Sequence, residues 1–259
     1  MSIDDVVRRL RAAGCVFAEQ EATLLVEAAD DDAHLRRLVS ARSAGRPLEH
    51  LLGWAEFDGL RIVVADGVFV PRQRTRLLVE VAAARAPRGG VAVDLCCGSG
   101  ALLVALAARR PDLEGHAADL DPAAVACARQ NLPPECVHAG DLFDALPARL
   151  RGRIDVVVAN APYVPTEAIA AMPAEARDHE HRIALDGGTD GLDLHRRVAA
   201  HAARWLGPGG LLVIEVAPAQ LVAAASLLST AGFDVETVTD DERDATAVLA
   251  TLTRARNAR

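Results

Sequence analysis

From residue 91 onward the chain repeats one pattern, in which a short apolar run is followed by a turn and then by a helical segment rich in alanine. Apolar runs of this length, bounded by turn residues, are typical of strands that are buried on both faces of a parallel sheet. Their alternation with helices predicts an α/β fold with a mostly parallel sheet and helices on both sides. The seven predicted strands are Val91–Leu95, Gly115–Asp119, Cys136–Ala139, Ile154–Ala159, Gly210–Val216, Phe233–Val238 and Thr246–Leu252.

The connections between these strands add detail to the prediction. The last two strands follow each other across the polar segment Thr239–Ala245, which indicates a closing hairpin and one antiparallel edge strand. Pro165–Asp190 is predicted as a long polar loop, of a length typical of a lid or a substrate collar. It contains His179 and His181, but no third metal ligand is evident, so no metal site is predicted. The helices expected between strands are Ala101–Arg109, Pro122–Asn131, Leu192–Leu206 and Ala219–Ala231.

The first 70 residues differ in character from the rest of the chain. Helical periodicity over residues 1–53 predicts a small helical domain, in which the acidic run Asp30–Asp32 suits a helix N-terminus. Two Asp-Gly pairs flank the apolar run Leu60–Val64, which indicates a β-hairpin linker over residues 54–70. Residues 71–259 are the predicted catalytic domain, beginning with a helix from Pro71 to about Ala84. The N-terminal helices are expected near residues 3–10, then at Glu21–Ala29, Ala33–Ala44 and Leu48–Leu52.

Composition argues against several classes of protein. The formal net charge of −8 is unfavourable for a broad nucleic-acid-binding surface, because phosphate contacts need clustered cations. The five cysteines are an odd number without Cys-x-x-Cys spacing, which is typical of reduced thiols and not of disulfides or a zinc site. No apolar run approaches the roughly 20 residues that a membrane span needs. We therefore expect a cytoplasmic protein without a membrane partner.

The turn after the first strand, VDLCCGSG at Val93–Gly100, has the spacing of a ligand-binding loop. A dinucleotide fingerprint would need a third glycine where the chain has Leu103. A P-loop would need a lysine, and the chain contains none. What remains is the acidic-x-x-x-Gly-x-Gly turn used for S-adenosylmethionine, in which glycines let the backbone approach the ligand. The predicted cofactor residues of this turn are Asp94, Cys96, Cys97, Gly98, Ser99 and Gly100.

Two further strand ends carry side chains that suit the same cofactor. Asp119 ends the second strand about 20 residues after the glycines, where a carboxylate accepts hydrogen bonds from ribose hydroxyls. Asp141 and Leu142 follow the third strand. The Asp141 carboxylate can accept a hydrogen bond from the adenine amino group, and Leu142 can pack on the ring.

The fourth strand ends in Asn160-Ala161-Pro162-Tyr163, at the edge of the sheet where open α/β folds bind ligands. The Asn160 side-chain oxygen and a backbone carbonyl can each accept one N–H of a planar amide or amino group. The Tyr163 ring can lie over that plane. Taken alone, the tetrapeptide also fits an ordinary Asx-Pro turn. Together with the three cofactor-binding strand ends, it predicts a methyltransferase that acts on an amide or amino nitrogen.

Nearly the whole chain resembles the HemK/PrmC family, protein-(glutamine-N5) methyltransferases that modify the Gly-Gly-Gln loop of peptide-chain release factors. The resemblance implies a class I S-adenosylmethionine-dependent methyltransferase with a Rossmann-like sheet, a helical substrate-recognition domain and a release factor as protein partner. It also implies that Asn160 and the carbonyl of Ala161 hold the substrate carboxamide, beside the cofactor, while Tyr163 packs on it. The segments that carry the resemblance are GRPLEHLLGWAEFDGLRIVVADGVFVPR (Gly45–Arg72), LDGGTDGLDLHRRV (Leu185–Val198) and GGLLVIEVAPAQ (Gly209–Gln220).

Three departures from that family's pattern stand out. Ala161 replaces a proline, although Pro162 still favours an extended backbone at residue 161. Cys96 replaces the first glycine of the cofactor turn. The segment PRQRTR replaces Pro-Arg-Pro-Glu-Thr-Glu, so that Arg74 and Arg76 reverse the charge expected near the substrate cleft. This charge reversal bears on the identity of the protein substrate more than on the reaction.

Two other functions fit parts of the pattern. An enzyme that methylates the exocyclic amine of a flipped adenine or guanine would present the same NH2 geometry, but it would need a basic face. A degenerate cofactor-binding protein would account for Ala161, Cys96 and the PRQRTR segment. The joint retention of Asn160, Pro162 and Tyr163 argues against the degenerate protein.

Overall fold

Four helices at the N-terminus pack around a small apolar core of their own, which includes Val6, Leu10 and Leu25. The structure is a computed structural model that describes residues 1–253; residues 254–259, at the end of the predicted catalytic domain, lie outside the described part. Ser2 caps the first helix, and Asp31 caps the third, as the acidic run predicts. The helices are α1 (Ile3–Ala12), α2 (Ala18–Ala28), α3 (Asp32–Ser43) and α4 (Leu48–Leu52).

A β-hairpin follows, as the first Asp-Gly pair predicts. Its antiparallel strands are β1 (Trp54–Phe57) and β2 (Leu60–Val63). Both turn residues, Asp58 and Gly59, have positive φ, the conformation that a type I′ turn requires. The Asp58 carboxylate pairs with Arg76 at 3.0 Å and with Arg109 at 2.6 Å. Arg76 is therefore held against the hairpin, and the prediction that it changes the charge of the substrate cleft is wrong.

The segment after the hairpin differs from its prediction. Pro71 does not begin a helix, because Arg72 is extended and a 3₁₀ turn at Gln73–Thr75 precedes helix α5 (Arg76–Arg85). The extended backbone has a tertiary cause, since the Arg72 guanidinium donates to the buried carboxylate of Glu180 at 2.6 Å. The contact crosses 108 positions of sequence and could not be read from local propensity.

Seven strands form the large, mostly parallel sheet that the alternation predicts. They are β3 (Val91–Leu95), β4 (Glu114–Asp119), β5 (Val137–Ala139), β6 (Ile154–Ala159), β7 (Leu206–Glu215), β8 (Phe233–Asp240) and β9 (Ala245–Leu252). Their spatial order is β5, β4, β3, β6, β7, β9, β8. The first five strands in this spatial order, β5, β4, β3, β6 and β7, are parallel to one another. Strand β9 is antiparallel to both of its neighbours, β7 and β8. The predicted hairpin is confirmed, but the antiparallel strand lies one position in from the edge because β9, and not β8, pairs with β7.

Both faces of this sheet are buried under helices. On β6, Val157 belongs to one apolar cluster, whereas Val156 and Val158 belong to another on the opposite face. A run of consecutive valines is thus explained, because neither face of the strand meets water. The helices of this part are α6 (Ala101–Arg109), α7 (Pro122–Asn131), α8 (Ala174–His179), α9 (Asp193–Ala202) and α10 (Leu221–Thr230).

Several predicted elements have different bounds in the structure; strand β7, for example, begins at Leu206 and not at Gly210. Helix α9 ends at Ala202 and not at residue 206, because Trp205 turns inward and stacks on Phe143 with the ring centroids 5.8 Å apart. The segment 165–190 is not a simple loop, since it contains α8 and two 3₁₀ turns, at Thr166–Ala171 and Arg182–Ala184. Within residues 1–253, no helix combines the length and the apolar character needed to cross a membrane.

Candidate active site

A cavity of about 500 Å³ opens at the carboxyl ends of β3, β4 and β6. The chain changes direction across the sheet between β3 and β6, which are neighbours in space, and ligands of open α/β sheets bind at such a switch point. The volume lies within the range of about 300–1,000 Å³ that is usual for small-molecule sites. Both predicted groups of site residues reach this one cavity. Its lining includes Cys96–Ser99, Asp119, Asp141, Leu142 and Asn160–Tyr163.

The turn after β3 is bent so that its backbone faces the cavity. Cys96, Gly98 and Gly100 all have positive φ, at 57°, 55° and 79°. A Cβ atom on Gly98 would meet only open space, whereas one on Gly100 would come within 2.7 Å of the Leu132 side chain. Gly98 thus keeps room for a ligand, while Gly100 allows α6 to pack closely on its neighbour. Gly100 itself does not belong to the cavity lining within the described residues.

Asp119 ties this turn to the end of β4. One of its carboxylate oxygens accepts from the Gly98 amide at 2.8 Å, and the other accepts from the Asp121 amide at 2.9 Å. Burial raises the pKa of Asp119, and these two amide hydrogen bonds oppose the rise. Each carboxylate oxygen keeps a second acceptor site, so the group can still bind a pair of hydroxyls.

Asp141 and Leu142 close the cavity beyond β5. The Asp141 carboxylate accepts from Arg197 on α9 at 2.5 Å, which fixes its direction. Leu142 is buried and has a φ of 47°, unusual for a residue with a side chain. The preceding Gly140 and this leucine turn the backbone sharply, so that an apolar side chain and a carboxylate reach the cavity next to each other.

Asp94 differs from the other predicted cofactor residues in its position. It is completely buried behind the turn, outside the cavity lining, and neither of its carboxylate oxygens has a hydrogen-bond partner among residues 1–253. Burial raises the pKa of Asp94 well above its ordinary value, and the nearby Asp119 carboxylate raises it further. Burial also raises the pKa values of Cys96 and Cys97, which keeps both thiols protonated and weakly nucleophilic.

Asn160 is oriented by a residue from another element. Its side-chain nitrogen donates to the hydroxyl of Thr75 at 3.2 Å, and Thr75 is buried at the end of the 3₁₀ turn before α5. With the nitrogen engaged there, the side-chain oxygen is left to accept a hydrogen bond within the cavity. Ala161 is buried next to it, and its carbonyl accepts no hydrogen bond within the described part of the chain. Asn160 and Ala161 both line the cavity, so each can offer one acceptor to a planar NH2 group.

Tyr163 is held at both its hydroxyl and its backbone. Arg74 donates to the hydroxyl oxygen at 2.7 Å, and the hydroxyl donates to the Glu215 carboxylate at 3.1 Å. The Tyr163 carbonyl accepts from the Gln220 side chain at 2.8 Å. Burial and the Glu215 charge raise the pKa of Tyr163 to about 12, although Arg74 opposes them. The ring is therefore neutral at physiological pH.

Residues 165–190 form a strap over one side of the cavity. In the strap, the Glu180 carboxylate accepts from the Val70 amide at 3.2 Å, in addition to its ion pair with Arg72. The neighbouring His181 ring contacts Asp121, the N-cap of α7, at 2.5 Å. Glu180 and His181 thus anchor the strap to two different elements. Their side chains have separate partners and do not form the joint ligand set of a metal site.

Sequence reasoning did not find Thr75, Glu215 or Gln220. All three lie in the structure where they fix the direction of Asn160 or Tyr163. The available signal was their place in segments that resemble the HemK/PrmC family, since Glu215 and Gln220 belong to GGLLVIEVAPAQ and Thr75 to the altered PRQRTR segment. No residue pattern in the sequence predicts that these side chains contact Asn160 or Tyr163, because each contact spans more than 50 positions.

The fold and these strand-end groups define a methyltransferase with a seven-stranded α/β sheet. Residues 59–179 match the family model described as a methyltransferase small domain. The release factor glutamine methyltransferase of Geobacter sulfurreducens is 38% identical over 202 residues, which cover 76% of this chain and 70% of that protein. The enzyme of the same name from Bradyrhizobium diazoefficiens is 36% identical over 250 residues, covering 93% of this chain and 80% of its own.

The chain belongs to the release factor glutamine methyltransferase family, which confirms the resemblance found in its sequence. The solved structure of a methyltransferase from Pyrococcus furiosus has a TM-score of 0.58 at 16% identity, and the match covers 76% of this chain and 91% of that one. This likeness concerns the fold alone. It agrees with the mostly parallel seven-stranded sheet described above.

Proposed function

We propose that this chain methylates the side-chain amide nitrogen of a glutamine in a protein, using S-adenosylmethionine, and that the protein is a peptide-chain release factor. The observation that carries the proposal is that Asn160 and Ala161 line the cavity together, while the Asn160 side-chain oxygen and the Ala161 carbonyl accept no hydrogen bond within residues 1–253. A carboxamide NH2 has two hydrogens in one plane, and two adjacent acceptors match it. The names of the relatives support a release factor as the substrate.

The cavity suits the cofactor in the chemistry of its lining. The open space at Gly98 leaves room for a ligand against the backbone, and Asp119 offers acceptor sites for ribose hydroxyls. Asp141 would accept from the adenine amino group, and Leu142 would pack on the ring. When bound, S-adenosylmethionine supplies an electrophilic methyl group on a sulfonium sulfur. Asp94 lies behind the turn, so its proposed role is to shape the turn from within the core.

The residues at the end of β6 would act on the acceptor nitrogen. An amide nitrogen is a poor nucleophile because its lone pair is delocalised over the carbonyl. Hydrogen bonds from its two N–H groups to Asn160 and Ala161 would increase electron density on nitrogen and fix its direction of approach. Orientation of this kind supplies a large part of the rate enhancement in such sites. The proton of the methylated amide can leave after transfer, so no general base is assigned.

Tyr163 and Pro162 would hold the plane of the substrate amide. The neutral tyrosine ring offers an apolar face for stacking, while its hydroxyl stays engaged with Arg74 and Glu215. Pro162 restricts residue 161 to extended backbone, which keeps the Ala161 carbonyl in place. Replacement of the family's proline by Ala161 therefore costs rigidity, and the acceptor atom is retained.

The helices of residues 1–53 are proposed to recognise the protein substrate. The buried guanidinium of Arg42 joins Glu21 of α2 at 2.6 Å to Glu175 of the strap at 2.5 Å. This three-residue ion pair connects the helical domain to the segment that borders the cavity. A protein that binds the helices would thus act on the strap, which forms the cavity wall next to the entering glutamine.

The proposal is tested with radiolabelled S-adenosylmethionine and the purified protein. An intact release factor, its loop Gln→Ala variant, and duplex and structured nucleic acids are offered in parallel, with Asn160→Ala as the enzyme control. We expect label on the intact factor alone, and its loss in both variants. Label on nucleic acid would reject the protein substrate and leave the fold and cofactor unaffected. Cofactor binding without transfer to any acceptor offered would favour the degenerate protein.

A further inference from the structure

Arg74, Tyr163 and Glu215 form a closed triangle of polar contacts at the edge of the cavity. Arg74 donates to the Tyr163 hydroxyl at 2.7 Å and to the Glu215 carboxylate at 3.1 Å, and Tyr163 donates to the same Glu215 oxygen at 3.1 Å. The three residues come from the 3₁₀ turn before α5, from the segment after β6 and from the end of β7. Each therefore contacts both of the others from a different element of the fold.

The buried carboxylate of Glu215 needs a cation beside it for the triangle to be stable. Its side chain is buried, with the residue only 1% exposed, and its second oxygen has no partner among residues 1–253. Its backbone carbonyl contacts the ring of the buried His195 at 3.1 Å, so the backbone of Glu215 is fixed as well. A buried carboxylate that loses its cation is strongly unfavourable, because the charge is neither solvated nor paired. Arg74 is the residue that supplies the opposite charge.

Arg74 meets Tyr163 and Glu215 with separate nitrogens of a rigid group. The terminal nitrogen Nη2 contacts Tyr163, and Nε contacts Glu215. Burial disfavours the charge of Arg74, but Tyr163 and Glu215 outweigh that effect and raise its pKa. A planar guanidinium can make both contacts at once, whereas an ammonium group is a point charge without that geometry. A carboxylate at position 74 would repel Glu215.

We infer that Arg74 is a positioning residue, which fixes the Tyr163 ring over the acceptor amide by pairing with Glu215. The inference rests on the proposed glutamine methylation, since it assigns Tyr163 to the acceptor. The neighbouring Thr75 orients Asn160 from the same turn. Residues 74 and 75 thus hold the two ends of the segment Asn160–Tyr163. Of the two arginines that reverse the charge of the family's pattern, Arg74 belongs to the acceptor site, and Arg76 does not.

The test uses the fact that Tyr163 is the only tyrosine in the chain. Protein labelled with [¹³Cζ]-tyrosine gives one NMR signal, which reports the hydrogen bonding of that hydroxyl without assignment. We expect Arg74→Met to shift the signal and Arg74→Lys to shift it less, since lysine keeps the charge and loses one contact. Arg76→Met is the matched control, because Arg76 pairs with Asp58 of the hairpin, and it should leave the signal unchanged. An unchanged signal in folded Arg74→Met, or in Arg74→Lys if the methionine variant does not fold, would overturn the inference.

Kinetics then separate positioning from simple stabilisation. Arg74→Met should lower kcat by about tenfold to hundredfold with little change in KM for S-adenosylmethionine, as expected for a misplaced acceptor. Adding Glu215→Gln removes the unpaired charge, so the double variant should recover stability but not kcat. A shifted tyrosine signal with unchanged kcat would reject the positioning role. Absence of transfer by the unaltered chain would count against the proposed function and leave the NMR result valid by itself.

Discussion

The side chains of Thr75 and Asn160 are joined by a hydrogen bond of 3.2 Å that spans 85 positions of sequence. Asn160 is the donor in this contact, and the direction matters, because it leaves the oxygen of the same side chain for the cavity. A free asparagine can rotate its amide by half a turn and present a donor to the substrate in place of an acceptor. In the structure Thr75 accepts from the Asn160 nitrogen, so a substrate NH2 group meets the side-chain oxygen of Asn160.

Thr75→Val should lower activity and also lower stability to a smaller, measurable extent. Valine has nearly the same shape and fits the buried position, but it removes the oxygen that accepts from Asn160. We expect kcat/KM for the protein substrate to fall by about tenfold to hundredfold through loss of orientation. The free energy of unfolding should fall by about 1–2 kcal/mol, the usual cost of one unpaired buried polar group.

The control for this variant is Thr246→Val. Thr246 is also a buried threonine, but it lies on β9, two strands away from β6, and its side chain makes no hydrogen bond with Asn160 among the described residues. Steady-state kinetics and urea unfolding are measured on both variants. An equal loss of kcat/KM in the two would show that the effect comes from general destabilisation, and the orienting role of Thr75 would be rejected.

The placement of the strand-end residues follows from local rules that the sequence shows. A buried parallel strand is recognisable from its apolar run, and the carboxyl ends of neighbouring strands meet at one edge. Asp119, Asp141 and Asn160 could therefore be assigned to one cavity without knowledge of any tertiary contact, and all three line it. Asp94 was the exception, since the periodicity placed it near the strand end but could not show that it faces the core.

The residues that orient the site could not be predicted in this way. Thr75 and Arg74 lie in a 3₁₀ turn whose position depends on the extended backbone of Arg72. That backbone is held by Glu180, which lies in a strap that the sequence indicated only as a polar loop. Each step depends on a contact between residues far apart in the chain. Local propensity carries no information on such contacts, so the helix expected from Pro71 was placed too early.

Cys96 is strained in the turn that should hold the cofactor. Its φ of 57° lies in the left-handed region, which costs a residue with a Cβ atom about 1–2 kcal/mol relative to glycine. Its neighbour Cys97 is buried, whereas Cys96 is half-buried, and Cys97 is not among the residues with positive φ. We expect Cys97→Gly to lower the free energy of unfolding by about 1–2 kcal/mol more than Cys96→Gly, measured by urea unfolding at pH 7. Equal losses in the two variants would show that strain at Cys96 is negligible.

Asp94→Asn should stabilise the protein at neutral pH and not at low pH. The pKa of Asp94 is raised on folding by burial, so the folded state resists ionisation that the unfolded state undergoes near its ordinary value of 3.8. Below that pH both states are protonated and no penalty exists. As the pH rises above 3.8, Asp94 ionises in the unfolded state but stays protonated in the folded state. The free energy of unfolding therefore falls with rising pH until the pH passes the folded-state pKa of Asp94.

The expected gain for Asp94→Asn at pH 7 is about 1.4 kcal/mol for each unit by which folding raises the pKa of Asp94, up to pH 7. It should decrease toward zero near pH 4, which unfolding by urea at several pH values will measure. Asp234→Asn is the control, because that aspartate is exposed on β8 and should give the same small difference at each pH. A gain for Asp94→Asn that does not depend on pH would contradict an ionisation penalty.

Gly67 lies directly under the strap, and its replacement should loosen the strap from the cavity. The Gly67 carbonyl accepts from the His181 amide at 2.8 Å, and a Cβ atom added at Gly67 would overlap the His181 ring. The ring is held by its 2.5 Å contact with Asp121, so it can move aside only by giving up that contact. We therefore expect Gly67→Ala to weaken the anchor of the strap at α7.

Gly59→Ala is the control that separates the overlap with His181 from the strain of a positive φ. Gly59 has a φ of 75°, close to the 80° of Gly67, but a Cβ atom there would meet only open space. Both variants carry the same left-handed strain, so their difference isolates the clash with His181. We expect the strap of Gly67→Ala to open more readily by about 1 kcal/mol, which is roughly a fivefold faster hydrogen exchange within residues 165–190. If the two variants exchange equally fast there, the His181 ring does not anchor the strap, and other contacts hold it closed, such as those of Glu180 with Arg72 and of Glu175 with Arg42.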